Sequence, residues 1–315
     1  MGVETWSSAA WVELATAWLD ERLADAGIER TGPAEQPRVR PWSTQLTAPT
    51  TVGTVWLKAV NPPNAFEAGL YDVLHELVPH RVLAPIATDA ERGWMLLPDG
   101  GRTIADRDLA DDDLVKVLTE VIPRYGLLQR DLAPHVDRML AAGVTDMRPT
   151  VMPQRFDEAL AVVGDLPAVA AKSGEFADWC ARLAVSPVPP SLDHNDLHAN
   201  NILLADLADP DAVRFYDWGD AVIAHPFAAM FVPLKVLADI LGKQTTGVLR
   251  VRDAYLEVFA DLGSHAELAA ELDLACRVAK VARTLVWARA VAVSPGEWAD
   301  APRETLMSLL AESYF

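Results

Sequence analysis

A turn-forming run, Pro98-Asp99-Gly100-Gly101, divides this chain into two parts whose hydrophobic periodicities differ. Ahead of it, residues 51–59 read TVGTVWLKA and alternate as a strand does, with Val52, Thr54, Trp56 and Lys58 on one face and Val55 and Leu57 on the other. Two more strand candidates follow, residues 81–87 and 93–97. Helical spacing occupies residues 8–26, where Trp11, Leu14, Trp18 and Leu23 line one side behind a serine cap and ahead of Gly27. It returns at 64–77, with Asn64 as candidate N-cap. Residues 28–50 contain four prolines and hold only short β-like pieces such as 39–42. Beyond the turn the chain is helical at 112–142, 154–183, 227–241, 247–261, 266–293 and 302–313, with one β-flavoured island at 191–217. The expected fold class is α+β. A small mixed sheet-plus-helix lobe spans residues 1–98, and a mostly helical lobe with an embedded hairpin spans 99–315.

Composition narrows the function classes. The chain has 315 residues, 51% hydrophobic and 23% charged, which is ordinary globular composition. Its 27 basic and 45 acidic residues leave a net charge of −18, so its field repels a phosphate backbone and nucleic acid is not an expected partner. The excess acid is spread along the chain and marks no tail. The longest uncharged apolar run, residues 221–234, has 14 residues and two prolines, short of the ~20 that a membrane span needs. No membrane partner is expected. Glu4 precedes any Lys or Arg, and no early apolar stretch suggests a secretory signal. Cys180 and Cys276 lie far apart in helical segments and are read as buried free thiols of a cytoplasmic protein.

Chemistry concentrates in residues 192–204, LDHNDLHANNILL, and 213–221, VRFYDWGDA. His194, Asp196, His198, Asn200 and Asn201 crowd together just before an apolar strand, and Asp217 emerges at the end of the next one. Two antiparallel strands joined by a short loop would bring Asn201 and Asp217 side by side. A carboxylate and an amide oxygen suit a hard cation such as Mg²⁺, which takes the rest of its shell from water and phosphate. Asp196, upstream of the hairpin, would then face the reacting group. Two other readings stand beside this one: Asp and Asn before a strand often form turns, and His194, Asp196 and His198 alternate as ligands of a transition metal could.

The run His194-Asn195-Asp196-Leu197-His198-Ala199-Asn200-Asn201, with Tyr216-Asp217-Trp218-Gly219-Asp220-Ala221, resembles the catalytic and metal-binding motifs of the aminoglycoside phosphotransferase family, small-molecule kinases with a two-lobed protein-kinase-like fold. The usual family form has Gly at 195 and 200 and Pro at 199. Those departures concern loop backbone, and Asn adopts left-handed angles more readily than most residues. The resemblance implies ATP and Mg²⁺ as cofactors and a small-molecule hydroxyl as acceptor. It implies that Asp196 orients that hydroxyl and takes its proton, and that Asn201 and Asp217 hold the metal. His194 is expected to order the loop, His198 to support it, and Asp220 to cap the following segment. Asp193, where the family is more usually apolar or amide-bearing, has no assigned role.

Upstream, the resemblance requires a strand lysine and a helix glutamate. Lys58 is the only lysine before residue 98, and Glu67 lies nine residues on. Residues 94–101, WMLLPDGG, resemble the family's hinge, with Leu97, Pro98 and Asp99 as the segment that meets the adenine. The phosphate-covering loop is less well marked: QLTAPTTVGT has a lone Gly53, with Thr50 and Thr51 as candidate hydroxyls. The resemblance puts the acceptor pocket in the C-terminal helices, about 225–315; acidic residues lining it would suit an aminoglycoside or aminosugar, while the even spread of charge favours a solvated acidic surface. A neutral sugar, a choline-like alcohol, a nucleoside, or a catalytically silent binding protein of the same fold are the alternatives, with a metal-dependent hydrolase as a further one.

Overall fold

The first long helix begins where Ser8 accepts the Trp11 N–H at 3.3 Å and runs from Ala9 to Asp25. In this computed structural model, which describes residues 2–243, 245–293 and 296–311, that helix turns Trp11, Ala15, Trp18, Leu19 and Leu23 inward. Leu14, expected on the same side, is 55% exposed. The inward stripe instead passes through Ala15, whose small side chain lets the helix lie close to its support.

That support is a five-stranded sheet of β1 (Glu35–Val39), β2 (Ser43–Thr50), β3 (Gly53–Val60), β4 (Ala87–Asp89) and β5 (Trp94–Pro98). The strands lie in the order β1-β2-β3-β5-β4, with every neighbouring pair antiparallel. Trp94 packs edge-on against Trp11 at 5.9 Å and Trp18 at 5.6 Å, and Leu46, Ala48, Val55 and Leu57 complete this core.

β2 lies in the proline-rich stretch that predicted only short pieces. Its Pro49 directs its carbonyl to the Thr31 N–H at 2.9 Å, beyond the last β1–β2 pair at Glu35 and Thr47, so the missing proline N–H breaks no ladder bond. The strand expected at 81–87 is absent except for Ala87. Val82 and Leu83 are buried, but Pro85 supplies no N–H and biases the residue before it, so pairing starts only at β4. Gly93, with φ of +67°, closes the β4–β5 turn, where a Cβ would lie 2.9 Å from Val60 Cγ2. Asn64 ends a short 3₁₀ turn and does not cap the helix Phe66–Leu77, whose N-cap is Ala65.

The chain divides into two compact units, Met1–Gly100 with Arg289–Ala299, and Gly101–Ala288 with Asp300–Phe315. The inclusion of Arg289–Ala299 in the first unit departs from the expected division at 98/99. Its cause is contact: Arg289 sits over the Phe66 ring at 4.9 Å and Trp298 meets Trp42 edge-on at 6.2 Å.

In the second unit a 22-residue helix, Asp111–Leu132, lies against a small sheet of β6 (Thr145–Asp146), β10 (Val222–Ala224) and β7 (Ser191–Asp193). β10 pairs antiparallel with β7 and parallel with β6, while β8 (Ile202–Leu203) pairs antiparallel with β9 (Arg214–Phe215). The remaining longer helices are Met152–Val163, Ser173–Ala184, Phe231–Leu241, Thr246–Glu257 and His265–Val291. Both cysteines are buried free thiols, and burial pushes Cys180 up to about 12. Among the described residues no helix is long and apolar enough to cross a membrane.

Candidate active site

Topology alone brings the two motifs together. β7 and β10 are antiparallel neighbours, and so are β8 and β9. The segment 194–201 runs from β7 to β8, and 216–221 runs from β9 to β10, so the two segments must lie side by side. Ile202 is paired with Phe215, and the Tyr216 N–H donates to the Asn201 carbonyl at 3.3 Å, which puts Asp217 next to the residue bonded to Asn201.

Asp196 lies in the first segment with a side chain 26% exposed. Its Oδ1 accepts from Arg283 at 2.7 Å, and its Oδ2 lies 3.3 Å from His198 Nε2 and 3.4 Å from Asn201 Nδ2. Burial by itself would raise this carboxyl. The Arg283 charge, together with the hydrogen bond and charge of His198, outweighs it and holds Asp196 well below the usual carboxylate range. Asp196 is therefore an anion throughout the neutral range. His198 shows the converse: burial lowers it, but its hydrogen bond to Asp196 and the charges of Asp196 and Asp217 bring it above an ordinary histidine.

Asn201 donates its amide N–H to the Asp196 carbonyl at 2.9 Å, which leaves its Oδ1 as the atom available to a cation. Asp217 has φ of +64° and ψ of +64°, a left-handed conformation uncommon for a residue with a side chain. Asn195, with φ of +61°, is another such residue, so among the described residues two of the three non-glycine residues with positive φ lie in these segments. Asn200, by contrast, sits in a 3₁₀ turn and uses no left-handed angle. An amide oxygen and a carboxylate suit Mg²⁺ in ligand type, with phosphate and water for the remaining positions. The transition-metal reading finds no support in the arrangement. His194 Nε2 donates to the Tyr216 carbonyl at 2.9 Å, and among the described residues no group of three His, Cys, Asp or Glu could hold a metal.

His194 is fully buried, and burial lowers its pKa despite that hydrogen bond. As a neutral ring with its centroid 4.7 Å from that of Trp218 and tilted by 41° to it, it ties the two segments together. Asp220 does not cap a helix, because the segment that follows it is strand β10. Its carboxylate accepts from Arg283 at 2.7 Å.

In the first unit, Lys58 projects from the sheet face opposite Val55 and Leu57 and donates from Nζ to Glu67 Oε1 at 2.7 Å. Lys58 is 8% exposed and Glu67 0%, so this is a buried ion pair rather than a solvated one. In the hinge segment the Asp99 N–H is taken by the Thr54 carbonyl at 3.0 Å, and the Leu96 carbonyl by the Ile86 N–H at 2.8 Å. Strand alternation therefore turns the Pro98 carbonyl toward the edge that β4, paired only as far as Leu96, does not cover. Leu97 is mostly buried. Thr50 is not free for a phosphate: its hydroxyl donates to the Gly53 carbonyl at 2.5 Å and accepts the Val52 N–H at 3.2 Å. The Thr51 hydroxyl accepts from the Glu29 N–H at 3.4 Å.

Residues 50–229 match the model of the phosphotransferase enzyme family, APH. The chain belongs to that family. The resemblance carried by the motifs is thus borne out, and the protein is a small-molecule kinase in class. Solved structures agree in fold. A macrolide 2′-phosphotransferase type I has a TM-score of 0.63 at 16% identity, covering 95% of this chain and 97% of that one. A Plasmodium vivax ethanolamine kinase has a TM-score of 0.69 at 9% identity, covering 97% and 90%. An amicoumacin kinase in complex with AMP-PNP and Ca²⁺ has 0.57 at 10%, covering 96% of each. At these identities the likeness is one of protein-kinase-like fold. Among curated proteins none matches the chain in sequence.

Several residues that shape this candidate site carry no motif. Tyr125 and Gln129, one turn apart on the helix Asp111–Leu132, both donate to the Leu192 carbonyl, at 3.0 and 2.9 Å. The Tyr125 hydroxyl also accepts the His194 N–H at 2.8 Å, and Tyr255 donates to Gln129 Oε1 at 2.6 Å. The signal was a glutamine and tyrosines inside apolar helical faces, where a polar group must find a buried partner. Arg283 was equally legible as a charge within a helical segment otherwise rich in small and apolar residues, among them Cys276, Ala279, Ala282 and Val286.

Asp193 has a structural role that the motif comparison left open. It is fully buried, its Oδ1 accepts the Asn195 N–H at 2.7 Å, and its Oδ2 faces Asn195 Nδ2 at 3.3 Å. It thereby holds Asn195 in its left-handed angle. Burial raises its pKa to about 7, against the lowering by its Asn195 bonds and Arg283. The folded state then binds more protons than the unfolded one between the ordinary carboxyl pKa and about 7, so stability falls as pH rises through that window. Asp193→Asn removes this cost, and its amide can donate to Asn195 Oδ1 once the Asn195 amide, which now turns Nδ2 toward residue 193, flips over. Thermal melts should show Tm higher by roughly 5 °C at pH 8.5, with the gain shrinking toward pH 5. An equal shift at both pH values would show that ionisation of Asp193 does not matter.

Proposed function

We propose that this protein transfers the γ-phosphoryl group of ATP to a hydroxyl of a small cationic amine, an aminoglycoside or aminosugar being the first candidates. The observation that carries the reading is the placement of Asp196, Asn201 and Asp217 on adjacent segments of one small-strand framework, with Asp196 held by Arg283 and partly open to solvent. Asn201 Oδ1 and Asp217 would hold Mg²⁺, which when bound offsets the negative charge of the nucleotide phosphates. Lys58, held by Glu67, would align the α- and β-phosphates, and the Pro98 carbonyl would accept from the adenine amino group. Asp196 would orient the acceptor hydroxyl and take its proton as the acceptor oxygen bonds to phosphorus and the bond to ADP breaks. His194 and His198 order the loop that carries Asp196.

The charge of −18 supports a cationic acceptor, since an acidic surface concentrates amines near the protein. Solved structures of the same fold include kinases named for choline and ethanolamine and a spectinomycin phosphotransferase. A cytoplasmic location, where ATP is made and the two thiols stay reduced, fits this reading. The test is ADP release with ATP and Mg²⁺ across aminoglycosides, aminosugars, a macrolide, choline, ethanolamine, nucleosides and neutral sugars. Turnover with at least one amine, and a nucleotide-induced rise in Tm that requires Mg²⁺, is expected. Turnover confined to neutral sugars or nucleosides would overturn the acceptor class, and a Tm unmoved by ATP and Mg²⁺ would overturn the nucleotide reading.

A further inference from the structure

The helix His265–Val291 contributes a residue to the site that no motif assigns. Arg283 is mostly buried, and each of its terminal nitrogens is directed. Nη2 donates to Asp196 Oδ1 at 2.7 Å, while Nη1 donates to Asp220 Oδ2 and to the Asn195 carbonyl, both at 2.7 Å. Its guanidinium lies 4.9 Å from the Trp287 ring centroid, one helical turn away. Three acceptors from two segments, together with a ring face, hold one planar cation in one orientation. Such forked, charge-assisted bonding is specific to arginine.

The two Asp196 oxygens are consequently unlike. Oδ1 is held by a short, charged bond, whereas among the described residues Oδ2 has the longer approaches of His198 and Asn201, at 3.3 and 3.4 Å. We propose that Arg283 is a positioning residue: anchored by Asp220 and Trp287, it pins Oδ1 of Asp196 and so presents Oδ2 to the acceptor hydroxyl. The proposal rests on the reading of Asp196 as the residue that takes the acceptor's proton. It explains why a carboxylate stands at position 220 directly after the metal-binding motif. Asp220 balances the guanidinium and fixes its plane, leaving the arginine no freedom to turn toward a bound anion. The Asn195 carbonyl, exposed to Arg283 by the left-handed turn at that residue, extends the same hold to the backbone of the loop.

The experiment compares Arg283→Ala, Arg283→Lys, Asp220→Asn and the double variant Arg283→Ala/Asp220→Asn with the parent. ADP release is followed with ATP, Mg²⁺ and the best acceptor of the panel above, or with water as acceptor. For Arg283→Ala, kcat should fall about 100-fold, the scale of a misplaced reacting group. KM for ATP and the ATP-induced rise in Tm should stay within threefold and about 2 °C of the parent. Millimolar guanidinium should restore part of the lost turnover, and Arg283→Lys should retain more turnover than Arg283→Ala. Asp220→Asn should cost about tenfold alone and nothing further in the Arg283→Ala background, because it acts through the arginine. A structure of Arg283→Ala with AMP-PNP should show the Asp196 carboxylate rotated.

Turnover of Arg283→Ala within threefold of the parent, while Asp196→Asn is inactive, would overturn the inference and leave the assignment of Asp196 standing. A loss that guanidinium does not restore and that the Asp196 position does not accompany would make Arg283 a packing residue and overturn it too. If Arg283→Ala does not fold, Arg283→Lys with and without Asp220→Asn decides: additive losses would refute the proposal. Should Asp196→Asn itself turn over normally, the failure lies in the reading of the base.

Discussion

Asp196→Asn should lower ATP-dependent phosphorylation by about 1,000-fold, in the middle of the range for removing a general base, with nucleotide binding intact. The substitution keeps the size and planarity of the side chain but removes the group able to accept a proton. Its structural cost is limited, because Arg283 retains Asp220 and the Asn195 carbonyl as acceptors at 2.7 Å. Asn201 still donates to the residue 196 carbonyl, a backbone atom, so the candidate metal-binding amide keeps its orientation. The measurement is single-turnover phosphorylation beside an ATP and Mg²⁺ titration of Tm. Turnover near that of the parent would remove Asp196 from the chemistry. Loss of the Tm response would instead make it a residue of the metal or nucleotide site.

Breaking the Lys58–Glu67 pair should have the largest effect on stability. Lys58 is 8% exposed and Glu67 has no exposure, so Lys58→Met leaves a buried carboxylate without the ammonium 2.7 Å from it. Removing one member of a buried pair costs about 3–5 kcal/mol. The double variant Lys58→Met/Glu67→Met should recover most of that, because matched apolar side chains often replace a buried pair at little cost. Nucleotide binding should follow a different pattern. A charge-assisted bond to phosphate is worth about 1.5–3 kcal/mol, so ATP affinity should be lower by about 10- to 100-fold in every variant lacking Lys58, the restabilised double variant included. A double variant that binds ATP like the parent would assign the pair to folding alone.

The Lys58–Glu67 contact was accessible from sequence because it joins neighbouring elements. The alternation of residues 51–59 put Lys58 on the face opposite Val55 and Leu57, and the next helix carried Glu67 nine residues on. Asn201 and Asp217 were accessible for a related reason, since two short apolar runs with one connection pair in few ways, and Ile202 does meet Phe215. Where proline dominated, reading failed. β2 was hidden because Pro49 falls where the partner strand has ended, and the strand expected at 81–87 was displaced beyond Pro85. Leu14 was misplaced by one position on its helix, because Ala15 and not a large residue marks the inward side. Asp220 was misread as a cap because its partner lies 63 residues away.

By itself the sequence determined the class of fold, the family, and the polar groups of the two adjacent segments, since periodicity and motif spacing are properties of neighbouring residues and survive without coordinates. The tertiary structure alone decided what surrounds those groups. Tyr125 and Gln129 hold the backbone of β7 from 60 to 70 positions upstream, Asp193 sets the turn at Asn195, and Arg283 grips Asp196 from 87 positions downstream. A buried donor or charge must find a partner, but its own residue type says only that one is needed, and packing of distant helices selects which one it is.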